Sequence, residues 1–141
     1  MTLDPLARPK LEAAYRLTNY VVDDRGVNFT IRLDGDNVAL REFLAGNNAP
    51  MWTFLTAYNP FSQTLPDEEN NARQSRLMSA LYLRDYEYYE GRGIGDDREE
   101  PSLFVINVGR EEAIGLGRQF DQNAILWGES NGKAELIWCV D

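Results

Sequence analysis

The chain has 141 residues, of which 43% are hydrophobic and 26% charged, with a formal net charge of −9, no histidine and one cysteine. This length fits one domain over residues 1–141 that buries roughly 70% of its unfolded surface and folds without a metal or a disulfide. The missing histidine excludes Ser-His-Asp and Cys-His catalysis and His-ligated zinc.

The charge balance indicates which partners to expect. Lys and Arg total 14 against 23 Asp and Glu, so the chain repels nucleic-acid phosphates and anionic membrane surfaces. No apolar run reaches the roughly 20 residues that span a bilayer, and residues 1–10 have no signal-peptide pattern. We therefore expect a cytoplasmic protein with no nucleic-acid partner, no membrane association, no metal and no cofactor.

The first third of the chain predicts a helix followed by a hairpin. Apolar residues at helical spacing predict a helix over residues 5–17, with Asp4 as its N-cap. Two β-rich runs, 20–22 and 27–33, flank a polar turn that ends in Gly26, which predicts a hairpin with one buried face.

A short helix and a buried strand are expected next. Asp36 is expected to cap a helix over residues 38–45. The almost wholly apolar run 51–58 is typical of a central strand covered on both faces. A polar loop over residues 59–66 follows it.

The second half contains the longest predicted helix, over residues 67–86. A buried strand is expected over 102–108, a helix over 111–120, and a final hairpin formed by 123–127 and 134–140. The fold class that this order predicts is α+β, a single domain with a largely antiparallel sheet, about four helices and a hairpin at each end.

Residues 91–101 are predicted to be irregular. Glycines at 91, 93 and 95 resemble a phosphate loop, but no helix and no Lys-Ser/Thr pair follows them. The four carboxylates within residues 96–100 lack the spacing of a calcium loop and indicate a solvated acidic turn.

The helix over 67–86 carries two polar side chains on its core-facing stripe. With Leu77 at the centre of that stripe, Asn70 lies near about +20° and Arg73 near about −40° on the helical wheel. Burying either side chain unpaired costs on the order of 1–3 kcal/mol, and more for the charge. Both should therefore meet partners, and residues 56–63 are the nearest polar segment.

Two interpretations of this constellation stay open. In the structural one, Asn70 and Arg73 tie the loop to the sheet by hydrogen-bonding its carbonyls, and Asp121 or Asn123 beside Gln122 closes the end of the helix over 111–120. In the functional one, they line a pocket for an anionic or amide-rich ligand. The candidate ligand-binding residues are Thr56, Asn59, Ser62, Gln63, Asn70, Arg73 and Gln122.

Four short motifs occur in order along the chain. They are Thr56-Ala57-Tyr58-Asn59-Pro60, Glu69-Asn70-x-x-Arg73, Glu100-Pro101-Ser102 and Phe120-x-Gln122-x-Ala124-Ile125. Over about residues 15–140 the chain resembles an uncharacterised family of small bacterial domains of unknown function with T-A-[WY]-N-P, E-N-x-x-R, E-P-S and F-x-Q-x-A-I motifs. The resemblance implies a freestanding bacterial cytoplasmic domain and supplies no activity. The positions that it singles out are Thr56, Asn59, Pro60, Asn70, Arg73, Glu100, Ser102 and Gln122.

Three functional hypotheses follow. The first is binding of a small polar or anionic ligand, for example a nucleotide-like one, with Arg73 as the anion anchor. The second is an acidic interaction module for a basic protein, acting through tyrosines 82, 86, 88 and 89. The third is an enzyme in which a carboxylate such as Glu69 or Glu100 transfers the proton.

Guanidinium, amide and hydroxyl groups hold a ligand without titrating near neutral pH, so the sequence favours binding over catalysis. Catalytic residues are not identified, and Cys139 is expected to be an inert buried thiol.

Overall fold

A computed structural model describes residues 3–141, which form four helices and one seven-stranded antiparallel sheet. The helices are α1 (Arg8–Leu17), α2 (Val38–Gly46), α3 (Asp67–Leu83) and α4 (Arg110–Gln119). The strands are β1 (Asn19–Asp24), β2 (Val27–Ile31), β3 (Met51–Leu55), β4 (Tyr88–Ile94), β5 (Glu99–Ile106), β6 (Ala124–Glu129) and β7 (Glu135–Trp138). The strand order is β2-β1-β4-β5-β3-β6-β7, and the predicted α+β class is confirmed.

Both predicted hairpins are present, and they form the two opposite edges of the sheet. Strand β1 pairs with β2, and β6 pairs with β7, in antiparallel register. Strand β3 lies between β5 and β6, as its apolar sequence predicts. Its side chains point alternately to the two faces, so Trp52 and Phe54 enter one core and Leu55 enters the other.

Helices cover both faces of the sheet. Helix α2 places Leu40 and Leu44 in the same core as Trp52 and Phe104. Helices α3 and α4 supply the opposite core, whose helical members include Leu77, Leu81, Ala113 and Leu116. Because β5 is covered on both faces, it reads as a continuous apolar run rather than an alternating one.

The prediction of an irregular segment over residues 91–101 is wrong. Strand β4 extends to Ile94 and pairs with both β1 and β5, and β5 already begins at Glu99. Glycine is required inside β4 because a Cβ on Gly91 would lie 2.1 Å from the carbonyl oxygen of Val21. The glycines that suggest a turn thus include one that permits close strand approach.

The helix termini also differ from the predictions in two end positions and in their capping residues. Helix α1 begins at Arg8 with Ala7 as its N-cap, so the assignment of that role to Asp4 is wrong; Asp4 Oδ1 instead accepts the Leu6 N–H at 2.9 Å in the turn before the helix. The N-cap of α2 is Asn37, with φ 49°, so the assignment of that role to Asp36 is wrong. Helix α3 ends at Leu83, three residues early, because Asp85 takes a left-handed conformation with φ 61°.

Candidate functional site

Antiparallel pairing brings the motif residues to one edge of the sheet. Leu55, at the end of β3, faces Leu103 in the middle of β5, and Phe54 faces Leu126 near the start of β6. The segment after β3 therefore meets the first half of β5 and the segment before β6, although they are distant in sequence. The first turns of α3 pack over the same place. We call this region the polar junction; it comprises residues 56–63, 100–102 and 120–123 with Asn70, Arg73 and Gln74.

Asn70 is buried, as the helical wheel predicts, and its side chain is fully engaged. It is 2% exposed, and its Oδ1 accepts the backbone N–H of Asn59 at 2.8 Å. Its Nδ2 donates to Asn59 Oδ1 at 2.7 Å and to the carbonyl oxygen of Leu65 at 3.1 Å. Asn70 thus holds the beginning and the end of the loop together.

Arg73 is also turned inward and connects two loops. Its Nε donates to the carbonyl oxygen of Ala57 at 2.8 Å, and its Nη2 donates to that of Phe120 at 2.6 Å. Asp121 lies 3.4 Å from the same Nη2, and the Arg73 side chain is 16% exposed. These contacts match the structural interpretation of Arg73, because two of its three guanidinium nitrogens already bind the protein itself.

Gln74, which is absent from the residues predicted above, is as fully hydrogen-bonded as Asn70. Gln74 is 7% exposed, its Oε1 accepts the Ala57 N–H at 2.9 Å, and its Nε2 donates to the Pro101 carbonyl at 3.3 Å. Thr56 Oγ1 donates to the same Pro101 carbonyl at 2.7 Å. The helical wheel could have predicted this burial, since Gln74 lies about +60° from Leu77 on the core-facing stripe.

Gln122 stands at the end of α4 and donates to backbone carbonyls. Its Nε2 lies 3.1 Å from the Tyr58 oxygen and 3.2 Å from that of Phe120. Its own N–H donates to Gly117 at 2.9 Å, and Asp121 has φ 59°, so this helix end forms a Schellman motif. Gln122 therefore connects the helix end to the loop that follows β3.

The loop that these residues hold has a strained backbone. Three of its four residues from 59 to 62 have positive φ without being glycine: Asn59 at 47°, Phe61 at 51° and Ser62 at 61°. Such conformations cost of order 1–3 kcal/mol each and persist only where the surroundings enforce them. Here the enforcing contacts include the Phe61 N–H donating to Asp121 O at 2.7 Å and Asn123 Nδ2 donating to Ser62 Oγ at 2.8 Å.

The outer side of the loop presents a small polar surface, which we call the Ser62 surface; it consists of Tyr15, Asn59, Ser62 and Glu100. Ser62 is exposed and Glu100 is half-buried, with Asn59 Nδ2 donating to Glu100 Oε2 at 2.9 Å. Burial raises the pKa of Glu100, and the hydrogen bond from Asn59 opposes that rise. The phenol of Tyr15 lies beside Ser62 and Glu100, and burial raises its pKa to about 12.

The remaining candidate residues have separate positions. Gln63 is exposed on the loop, and Glu69 is exposed on α3. The four clustered tyrosines differ in their exposure to solvent: Tyr82 is 75% exposed, whereas Tyr89 is 6% exposed. Cys139 is buried at 5% exposure, and this burial raises the pKa of its thiol to about 11, which fits an unreactive cysteine.

Buried polar groups at the junction are satisfied internally. Within residues 3–141, no buried side-chain nitrogen or oxygen lacks a hydrogen-bond partner. The same range contains no group of three or more acidic or cysteine side chains placed to hold a metal ion. Over this described part of the chain, no helix is both long and apolar enough to cross a membrane.

The chain matches the model of a known protein family. The family model described as "Protein of unknown function (DUF3293)" matches residues 55–125. This range contains the positions of all four motifs and every segment of the polar junction. No curated protein and no solved structure matches the chain.

Proposed function

Since the chain belongs to the DUF3293 family of proteins of unknown function, we propose that it binds a small polar ligand on the Ser62 surface. In this proposal Asn59, Ser62 and Glu100 contact the ligand, while Asn70, Arg73 and Gln122 hold the loop in its binding conformation. A cytoplasmic setting in a bacterium, which the sequence resemblance implies, belongs to the same proposal.

The observation that carries the proposal is the strained conformation of residues 59–62. An ordinary connecting loop does not need three non-glycine residues at positive φ within four positions. Strain of this kind concentrates at ligand sites, where it fixes polar groups in advance of binding. Buried Asn70 and inward-turned Arg73 help to maintain that conformation, although neither reaches the outer surface.

The chemistry of the Ser62 surface favours a ligand that donates hydrogen bonds. A carboxylate only accepts, so Glu100 complements an amine or amide N–H, and the Ser62 hydroxyl can both accept and donate. An anion would meet Glu100 directly, whereas Arg73 spends Nε and Nη2 on the carbonyls of Ala57 and Phe120. The ligand is therefore polar and neutral or cationic at the contacting atoms; a nucleotide-like ligand would present its base here rather than its phosphates.

A thermal-shift screen tests this proposal. The panel contains primary amines, primary amides and nucleosides, with inorganic phosphate and dicarboxylates as the anionic arm. We expect an amine or amide to raise Tm in the parent protein, and the shift to be lost in Ser62→Gly and Glu100→Gln. Glycine suits the positive φ of Ser62, so the first variant removes the hydroxyl without adding backbone strain.

Two exposed residues outside the Ser62 surface provide matched controls. Ser75→Ala removes an exposed hydroxyl from α3, and Glu99→Gln removes one carboxylate next to Glu100. Both should keep the ligand-induced shift. The proposal is overturned if no amine, amide or nucleoside raises Tm, or if the shift survives in both Ser62→Gly and Glu100→Gln.

A further inference from the structure

Independently of the ligand, we infer that the end of α3 docks a basic segment of a partner protein that also carries apolar side chains. The α3-end surface consists of Tyr82, Leu83, Asp85, Tyr86 and Glu87, which line one shallow hollow. It includes two of the four tyrosines that the sequence suggests for an interaction.

The apolar part of the α3-end surface is exposed to solvent. Tyr82 is 75% exposed and Leu83 is 79% exposed, and the two are adjacent in the chain. Single exposed leucines are common on protein surfaces, but a neighbouring pair that borders a hollow offers an anchor site for a partner. Tyrosine is frequent among the residues that dominate binding energy at interfaces.

The charge around this pair determines the partner's chemistry. Asp85 and Glu87 line the hollow, and Glu112 extends from α4 to hydrogen-bond the Tyr86 hydroxyl. Residues 80–83, the last turn of α3, include no basic side chain, and the first one after them is Arg84 at the C-cap. The nearby Arg84 directs its Nη2 to Gln119 Oε1 at 3.1 Å, towards α4.

These negative groups complement a lysine or arginine, and Tyr82 with Leu83 complements an adjacent apolar side chain. A second copy of the chain is a poor occupant, because each copy has a net charge of −9. The favoured partner is therefore a protein segment in which basic and apolar residues alternate or adjoin.

The α3-end surface is held in one shape before any partner arrives. The Tyr86 N–H donates to the Leu81 carbonyl at 3.0 Å, and the Asp85 N–H donates to that of Tyr82 at 3.1 Å. Asp85 sits at φ 61°, which fixes the direction in which the chain leaves the helix. A preformed surface loses little conformational entropy on binding, so even a small contact can be specific.

The test is a titration of the ¹⁵N-labelled protein with a synthetic peptide of alternating Lys and Leu, followed by amide chemical shifts. A peptide of alternating Glu and Leu serves as the charge-reversed probe, and a Lys-Gly peptide serves as the charge-only probe. We expect the Lys-Leu peptide to bind with a Kd on the order of 100 μM, as in small transient interfaces, and to shift amides around residues 80–88.

Two variants and two controls separate this site from general attraction. Leu83→Ser should weaken binding about tenfold by removing the apolar anchor. Asp85→Asn should weaken it about threefold, and asparagine tolerates the left-handed conformation at that position. Leu6→Ser and Asp96→Asn make the same chemical changes at exposed positions elsewhere, and both should leave Kd within twofold.

The inference is overturned if the Lys-Leu peptide fails to bind at millimolar concentration, or if shifts spread over the whole acidic surface and the controls weaken binding equally. Equal binding of the Lys-Gly peptide would also overturn it, because the apolar pair would then have no part. The inference is also overturned if the protein associates with itself at high concentration and Leu83→Ser abolishes this association. The occupant of the α3-end surface would then be a second copy of the chain.

Discussion

Asn59 and Asn70 bind each other reciprocally: Asn70 Oδ1 accepts the Asn59 N–H at 2.8 Å, and Asn70 Nδ2 donates to Asn59 Oδ1 at 2.7 Å. This pairing leaves Asn59 Nδ2 to donate to Glu100 at 2.9 Å, so a buried helix residue helps to position a half-buried carboxylate. The stability of the polar junction and the geometry of the Ser62 surface therefore depend on the same contacts.

Asn70→Ala should lower the free energy of unfolding by about 2–4 kcal/mol. The substitution removes three hydrogen bonds and leaves the N–H of Asn59 without its partner. Urea denaturation measures the change. Ser75→Ala, at an exposed position of the same helix, is the control, and its effect should stay within about 0.5 kcal/mol. Equal effects of the two variants would contradict the assignment.

Arg73→Ala should destabilise the protein by about 2–4 kcal/mol, because the carbonyls of Ala57 and Phe120 lose a charged donor. Arg76, one turn along α3 and exposed, gives the matched control Arg76→Ala, with little expected change. The measurement is again equilibrium unfolding. The opposite result would be an Arg73→Ala protein that is as stable as the parent but has lost an anion-induced rise in Tm. That result would support the hypothesis that Arg73 anchors an anion.

Gln74→Glu should make stability fall more steeply with rising pH than it does in the parent protein. The substitution replaces the Nε2 donor that lies 3.3 Å from the Pro101 carbonyl with an oxygen at a buried position. A protonated carboxyl can still donate there, so the pKa of the new group lies above the ordinary glutamate value of about 4.3. A raised pKa in the folded state gives stability that is present at low pH and lost as pH rises.

Comparing the unfolding of Gln74→Glu and the parent from pH 4 to pH 8 measures this effect. The deficit should be small at pH 4 and should grow towards neutral pH. A deficit that stays constant over this range would show that the Pro101 contact does not depend on a donor at position 74.

Glu100→Gln should become more stable relative to the parent as pH rises. Burial raises the pKa of Glu100 above 4.5, so the parent is most favoured with this carboxyl protonated and loses that stability as pH rises through the raised pKa. The glutamine amide oxygen still accepts from Asn59 Nδ2, and it has no charge to desolvate. Melting temperatures at pH 4 and pH 7 for the parent, Glu100→Gln and Glu99→Gln measure the difference. The idea fails if Glu100→Gln shows no gain between the two pH values.

Two glycine substitutions should change the free energy of unfolding in opposite directions. Gly91→Ala places a Cβ 2.1 Å from the Val21 carbonyl and should cost about 3 kcal/mol or more, because β4 must move away from β1. Gly115→Ala lies in α4, where an added Cβ meets nothing within 4 Å, and should stabilise by about 0.5–1 kcal/mol. Thermal unfolding of both variants provides the test. A tolerated Gly91→Ala would mean that β1 and β4 do not approach as described.

Local periodicity sufficed to predict much of this molecule. The alternation in residues 27–33 and the apolar run from 51 predict the strands, and the helical wheel places Asn70 on the inner face of α3. Strand β4 was not predicted, because its glycines suggest turns when only neighbouring residues are considered. The close approach of Gly91 to Val21 joins residues 70 positions apart, and no local pattern contains it.

The sequence by itself determined the fold class, the hairpins and the inward direction of Asn70 and Arg73, because these follow from side-chain spacing along single elements. Only the tertiary structure decided which groups those side chains meet. The partners of Arg73 and Gln74 lie at Phe120 and Pro101, up to 47 residues away, and their position depends on β3 pairing with both β5 and β6. The strand order places a core on each face of the sheet and brings Asn70, Arg73 and Gln122 to the loop after β3, where they hydrogen-bond to its backbone.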